Sequence, residues 1–166
     1  MHMRRKFVCL FLFLAAAAAQ QESKSPAAPP PTQTPDYSGM YTFLQEGEFV
    51  QITVEDEGRV TGFVSRYGDR DSDRGVFLDQ FFKQGKLENQ HLTFTTETVH
   101  GVWFEFNGEV ARGPAKNVDE EGYYVLKGAL TQNTTDSEKK ASARVREVTL
   151  KSFPRDTAPS PPKKSD

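Results

Sequence analysis

Apolar and polar residues alternate most densely in residues 85–110, GKLENQHLTFTTETVHGVWFEFNGEV. Successive side chains of a β-strand point to opposite faces. Leu92 and Phe94 therefore share one face of a first strand, and Phe104 and Phe106 share one face of a second. The pattern predicts a β-hairpin with one apolar and one polar face.

The length of the connecting loop decides how the two strands of this hairpin pair. A two-residue turn at His100-Gly101 would place Phe94 opposite Asn107, with the apolar sets on opposite sides of the hairpin. A three-residue loop that also includes Val99 pairs Phe94 with Phe106, and it ends on glycine, as such loops favour. Because the hydrophobic pattern fixes the register, we predict the three-residue loop.

The polar face of the hairpin carries a candidate contact surface, formed by Trp103, Glu97, Glu105 and Asn107. Tryptophan is enriched among the residues that dominate protein interfaces. Two alternatives stay open: Trp103 covers neighbouring aliphatic stems, or the polar face lies inside the barrel and lines a ligand site. Glu97 and Glu105 also have the form of an acid/base pair, but exterior charges are favoured because the rest of this face is threonine and asparagine.

Similar alternation predicts about eight short antiparallel strands in sequential hairpins. A turn at Asp56-Glu57-Gly58 sets Val54 against Val60. Residues 76–84, VFLDQFFKQ, fit a helix or a strand, and we favour a strand. Residues 68–75, 113–121 and 132–142 are predicted polar loops.

These elements predict an all-β fold, an eight-stranded antiparallel up-and-down barrel, with a β-sandwich as the alternative. Gly39, Gly62, Gly108 and Gly128 fall inside predicted strands, where glycine permits the bends of a closing sheet. Closure also removes exposed strand edges.

Composition divides the chain into four parts. Residues 1–20 have a basic start, a short apolar core and small residues at the end, which predicts a cleaved signal peptide and a secreted or periplasmic protein. Residues 21–36 are a Pro-rich linker, residues 37–153 the barrel domain, and residues 154–166 a disordered tail. Nine of the ten prolines lie in the two tails, and all twelve glycines lie in the domain.

Charge and cysteine content exclude several kinds of chemistry. Removing Arg4, Arg5 and Lys6, with no acidic residue lost, takes the formal net charge from −2 to −5, which gives no reason to expect nucleic acid as a partner. Cys9, the only cysteine, lies in the predicted signal peptide. The mature chain is thus expected to have no disulfide and no thiolate, and no membrane span.

No cofactor and no metal site are expected. Asp69, Asp71 and Asp73 alternate as calcium ligands do, but the glycine and glutamate of a calcium loop are missing. His91 and His100 lie roughly 30 Å apart on an extended strand, too far to share a metal. No Gly-x-Ser-x-Gly elbow supports a serine-histidine-acid site.

The segment Ser38-Gly39-Met40-Tyr41-Thr42, the valine-rich strand after it and Gly58-Arg59-Val60-Thr61-Gly62 resemble the opening hairpins of avidin-like barrels and, more loosely, of lipocalins. Biotin binders of the avidin family carry a tryptophan after that first glycine and several more elsewhere. Here Met40-Tyr41 occupy that zone and Trp103 is the only tryptophan, so the resemblance implies the barrel without biotin. The whole domain also resembles small secreted bacterial barrels with no assigned activity.

Three function classes follow. The favoured one is an exported, non-enzymatic binding barrel that takes a small apolar ligand in its mouth or a protein partner on its surface. The second is a structural or assembly accessory of the cell envelope, which would make an envelope protein the partner. The third is an enzyme without a recognisable motif.

Overall fold

The computed structural model describes residues 36–68 and 71–155. The predicted signal peptide, almost all of the predicted linker and most of the predicted tail lie outside the described residues. The domain boundaries and the export of the protein therefore stay predictions.

Eight strands form one sheet in which each strand pairs antiparallel with the next along the chain. The sheet curls until its first and last strands meet, so the predicted all-β, eight-stranded antiparallel up-and-down barrel is confirmed. The strands are β1 (Gly39–Thr42), β2 (Phe49–Val54), β3 (Val60–Tyr67), β4 (Phe77–Glu88), β5 (His91–Thr96), β6 (Val102–Arg112), β7 (Tyr124–Thr135) and β8 (Ala141–Lys151).

The first and last strands meet at one end of the barrel only. Tyr41 bridges to Ser152, and the Phe153 N–H donates to the Met40 carbonyl at 2.8 Å. Arg155 fastens the same end by donating to the Asp36 carbonyl at 2.7 Å. Among the described pairings, residues 141–150 of β8 have no strand partner on the side away from β7, so the sheet is open there.

The ends of the described chain also interact through charge. Burial alone would raise the pKa of the Asp36 carboxyl, but hydrogen bonds from Ser38 and the nearby Arg155 guanidinium hold this pKa below its usual value. Beneath them, burial raises the pKa of the Tyr41 hydroxyl well above its ordinary value, and this hydroxyl donates to the Tyr37 carbonyl at 2.7 Å. These contacts close the end of the barrel where the chain enters and leaves.

Apolar side chains fill the interior of the barrel. Phe94 stacks on Phe82 with ring centroids 4.4 Å apart and on Phe106 with centroids 5.3 Å apart, so three neighbouring strands contribute one aromatic stack. The other largest apolar side chains with almost no exposure are Tyr41, Phe104, Ile52, Leu92, Leu126 and Leu130. The predicted apolar face of the central hairpin is therefore the inner face.

The predicted register of the central hairpin is confirmed, but its predicted loop is wrong. Phe94 lies opposite Phe106, as expected. The turn has only two residues, His100 and Gly101, both with positive φ, and Val99 pairs with Val102. The predicted register is compatible with the shorter turn because of a bulge before the turn. There, residues 97 and 98 together lie opposite the single residue 103.

The predicted strand at residues 76–84 is confirmed from residue 77 onward, within the longer β4. Phe82 packs against the core. Phe81 is 62% exposed and lies on the outer face, where its ring contacts the ring of Phe63 on β3. Apolar residues on both faces explain why the segment also fitted a helix. The predicted pairing of Val54 with Val60 is confirmed as well.

The predicted polar loop at residues 132–142 is too long. β7 continues to Thr135 and β8 begins at Ala141, so the loop is only residues 136–140. The strands persist because backbone pairing extends to Thr135 opposite Ala141, whatever the polarity of the side chains. This extension builds much of the site described next.

Candidate ligand-binding site at the barrel mouth

Four loops surround the end of the barrel opposite the chain termini, which we call the mouth. They are residues 43–48, 68–76, 97–101 and 136–140, and residues 69 and 70 lie outside the described part. Toward this end the inner face changes from apolar to polar. The polar side chains at the mouth are those of Glu48, Arg66, Gln80, Thr96, Gln132, Thr134, Ser142, Arg144 and Arg146.

The last hairpin shows this change along one pair of strands. On β7 the inward alternation runs from Leu126 and Leu130 to Gln132. On β8, Arg144 lies opposite Gln132, and Arg146 lies opposite Leu130. The period of two that buries leucines in the core therefore brings two guanidinium groups to the mouth.

Gln80 and Arg66 form the floor of the mouth. Arg66 Nε donates to Gln80 Oε1 at 2.5 Å, and Gln80 Nε2 donates to the carbonyls of Val102 at 2.8 Å and Glu97 at 3.1 Å. Gln80 is completely buried, and the Arg66 guanidinium lies 5.7 Å from the centre of the Phe104 ring. A buried charge needs such partners, because desolvation without compensation is costly.

Glu48 is the carboxylate of the first loop, and it is buried against backbone donors. Its Oε2 accepts from the Gln45 N–H and its Oε1 from the Tyr67 N–H, both at 3.0 Å. These bonds tie the loop at 43–48 to the end of β3. Glu48 therefore has a structural role in shaping the mouth.

Two of the other loops are joined by a contact between a histidine and an aspartate side chain. His100 Nδ1 lies 2.5 Å from Asp73 Oδ2, and the Asp73 side chain is nearly buried while that of His100 is half-exposed. His100 occupies a left-handed position of the tight turn that leads into β6. The turn thereby places its imidazole over the loop at 68–76.

Two adjoining cavities open at the mouth. The larger, about 540 Å³, we call the His100 cavity; its lining includes Asp73, His100, Val102, Thr134, Lys140 and Ser142. The smaller, about 330 Å³, we call the Arg146 cavity; its lining includes Leu44, Glu48, Phe104, Arg144 and Arg146. Arg66 and Gln132 line both, and both volumes lie in the range of small-molecule sites.

The predicted contact surface lies on the outer face of the barrel. Trp103 is half-buried, and its Nε1 donates to Glu105 Oε1 at 3.1 Å. Glu105 also accepts from Asn133 Nδ2 at 3.2 Å, so β6 and β7 share one polar cluster. Asn107 is exposed on the same face, whereas Glu97 lies in the irregular segment after β5.

A shallow groove of about 640 Å³ runs beside part of this surface. Glu105 and Asn107 line it, together with Arg59 and Lys86 from neighbouring hairpins. Trp103 and Glu97 do not belong to its lining. The structure thus brings two of the four predicted residues to one groove and separates the other two from it.

The carboxylates of the predicted polar loop have partners of their own. Asp71 pairs with Arg74, and Asp73 pairs with His100. Asp69 lies outside the described residues. His91 begins β5, whereas His100 lies in the turn beyond its other end, and within the described residues no three His, Cys, Asp or Glu side chains come together as a metal site. The absence of a metal site stays a prediction for titration.

The polar residues of the mouth were not predicted, although the sequence carries a signal for them. In the segment from Leu126 to Leu150, alternate positions stay on one face even where the residues become polar. Extending the alternation forward from Leu130 on β7 predicts an inward Gln132. Extending it backward from Leu150 on β8 predicts inward Arg146 and Arg144. The partners of Arg66 and Gln80 depend on contacts between distant strands, which alternation does not give.

Comparison with known proteins gives a fold and no sequence family. No protein-family model matches the chain, and no curated protein matches it either. Among the described residues, no helix is long and apolar enough to cross a membrane.

Solved structures of avidin-type proteins share this architecture. Rhizavidin matches with a TM-score of 0.52 at 10% identity, over 71% of this chain and 83% of its own. Its complex with biotin matches with a TM-score of 0.53 at 10% identity, over 72% of this chain and 95% of that one. Intact apo afifavidin matches with a TM-score of 0.51 at 12% identity, over 78% of this chain and 90% of its own. The resemblance inferred from the opening hairpins is thus confirmed for the fold: the chain forms an avidin-like barrel.

Proposed function

We propose that this protein is a non-enzymatic barrel that binds a small organic ligand at its mouth. The observation that carries the proposal is the pair of adjoining cavities above a filled aromatic core, lined by convergent polar groups and a few apolar ones. Sites of this composition are typical of small-molecule binding. Rhizavidin, which shares the fold, has been solved with biotin.

The interior suits a ligand at the mouth better than one deep in the barrel. Tyr41, Phe104 and Phe106 occupy the interior and are at most 2% exposed. An apolar part of a ligand would contact Val102 or Leu44 at the cavity walls, and its polar part would meet Gln132, which lines both cavities. A wholly apolar ligand would leave these polar groups unpaired and is the less favoured alternative.

The test blocks the mouth without disturbing the strand. Ser142 and Ala143 are adjacent exposed residues of β8, but only Ser142 lines the His100 cavity. A thermal-denaturation screen of small organic acids, amides and alcohols would compare the wild type with Ser142→Trp and with the control Ala143→Trp. Compounds that raise the Tm of the wild type and of Ala143→Trp, but not of Ser142→Trp, support the proposal. Stabilisation that Ser142→Trp retains would contradict it.

A protein-contact role for the outer face is a second candidate. The cluster of Trp103, Glu105 and Asn133 adjoins the groove that Glu105 and Asn107 share, and it leaves a tryptophan half-exposed on a polar sheet. With a signal peptide, the protein would be exported and its partner would be an envelope protein. Pull-down from an envelope extract, with Trp103→Ala as the comparison, tests this candidate. A partner retained equally by Trp103→Ala would contradict it.

A further inference from the structure

One wall of the mouth carries several arginines. Among the described residues, the lining of the Arg146 cavity includes three arginines, Arg66, Arg144 and Arg146, and one carboxylate, Glu48. Both oxygens of that carboxylate accept backbone N–H bonds, which tie it to the protein. Arg144 and Arg146 therefore lie together at a concave surface, whereas Glu48 and Arg66 are held by contacts of their own.

Arg146 has a buried donor that the described residues leave unused. Its Nη2 donates to Gln132 Oε1 at 3.1 Å, which fixes the guanidinium at the cavity. Its Nε is buried and has no hydrogen-bond partner among the described residues. A buried donor on a charged group without an acceptor is costly, so native proteins rarely keep one without a reason.

Arg144 stands two positions earlier on the same face of β8. It has no hydrogen bond or ion pair among the described residues, and it lines the same cavity. Same-face neighbours on a strand are about 7 Å apart. Two guanidinium groups at this spacing repel one another, and an anion placed between them would remove the repulsion.

The nearby carboxylates of the His100 cavity are engaged elsewhere. Asp73 pairs with His100. Asp136 accepts from the N–H groups of Glu138 and Lys140 at 2.9 and 2.8 Å, which shapes its own loop. Among the described contacts, neither carboxylate touches Arg144 or Arg146.

We propose that Arg146 and Arg144 bind the carboxylate of a small organic acid, with Gln132 positioning Arg146. The inference rests on the proposed function, since it assigns the chemistry of the ligand at the mouth. Guanidinium groups match carboxylates through paired, charge-assisted hydrogen bonds. Leu44 lines the same cavity of about 330 Å³, which gives the organic part of the acid an apolar contact.

A purely structural role of these arginines makes a different prediction. Charged residues that point inward protect open sheet edges from pairing with other chains, and β8 has an open edge here. In that case the arginines would respond to no ligand. Their side-chain Nε–Hε signals in NMR spectra of arginine-labelled protein report such a response directly.

The experiment titrates the labelled protein with hexanoate, with hexanamide as its neutral analogue, and with inorganic phosphate. Arg146→Gln and Arg144→Gln assign the two signals, and Lys127→Gln, an outward-facing residue of β7, controls for net charge. We expect hexanoate to shift both signals to saturation and hexanamide to leave them in place. Arg146→Gln should weaken hexanoate binding about tenfold, whereas Lys127→Gln should change it less than about twofold.

Three results would overturn the inference. The first is that hexanamide shifts the two signals as strongly as hexanoate does. The second is that all arginine signals shift together, as in a general ionic effect. The third is that phosphate saturates the two signals at a lower concentration than hexanoate. If the thermal screen still finds mouth ligands that Ser142→Trp excludes, the proposed function survives this failure. If neither experiment finds a ligand at the mouth, both proposals fail.

Discussion

The floor of the mouth depends on one side chain, Gln80, which satisfies three partners at once. Its amide oxygen accepts from Arg66, and its amide nitrogen donates to two carbonyls that flank the turn between β5 and β6. A leucine or asparagine at this position would satisfy fewer of these groups. The polar floor is thus a structural requirement of burying Arg66.

Gln80→Leu should destabilise the fold by about 2–4 kcal/mol, because it removes the acceptor of the buried Arg66 Nε and leaves two carbonyls without this donor. Gln84→Leu, on the same strand but exposed, is the matched control. Urea denaturation of both variants measures the difference. Equal losses in the two would show that the Gln80 network contributes little.

Trp103 and Phe104 are adjacent residues on opposite faces of β6, and their variants should behave differently. Phe104 is 1% exposed, so Phe104→Ala should cost about 3–5 kcal/mol. Trp103→Ala should cost well under that, because the indole lies half-exposed on the outer face. Denaturation midpoints test the pair, and wild-type tryptophan emission should be red-shifted and easily quenched by acrylamide. A blue, unquenchable emission would mean that the faces are inverted.

At the scale of elements, the course of the strands follows from alternation, and the exceptions have identifiable causes. The register of β5 and β6 was predictable because Phe94 and Phe106 must share the inner face. The two-residue turn at His100-Gly101 was not predictable, because it requires an extra residue in the segment between β5 and the turn, where residues 97 and 98 lie opposite residue 103. Alternation cannot show where such an irregularity falls.

The candidate site was less predictable than the fold. The length of β7 and β8 was underestimated because residues 132–142 are polar, although backbone pairing does not depend on side-chain polarity. Arg66 is buried against Gln80 of the next strand, a contact that the alternation along one strand does not give. Such contacts depend on how strands curve together, which local sequence does not encode.

Close approach between β6 and β7 depends on two paired glycines. Gly108 lies opposite Gly128, and a Cβ added at Gly128 would lie 2.4 Å from the Gly108 Cα. Gly128→Ala should therefore destabilise the barrel by about 1–3 kcal/mol through overpacking. Lys127→Ala, next to it and exposed, should have little effect, and thermal unfolding compares the two. A neutral Gly128→Ala would show that the strands can separate without cost.

At the scale of the whole molecule, the two ends of the barrel differ in kind. One end is closed by Tyr41, Ser152 and Arg155, and the other is open and polar. The aromatic core between them leaves no need for disulfides, in keeping with a single cysteine at position 9. A barrel with one chemically distinct mouth is a suitable scaffold for binding.

Export of the protein is a prediction from the sequence of residues 1–20. The basic start and short apolar core of residues 1–20 should direct cleavage, so the mature protein should begin near Gln20 or Gln21. N-terminal sequencing of the protein recovered from the periplasm or medium checks this. A retained Met1 in that fraction would rule out the cleaved signal peptide.

The central claim is that the mouth holds a small ligand, and native mass spectrometry of the protein as purified tests it most directly. We predict a bound mass of a small organic molecule on the wild type and on Ala143→Trp, and its loss on Ser142→Trp. A bound mass that Ser142→Trp retains but Trp103→Ala loses would place the ligand on the outer face and contradict the account.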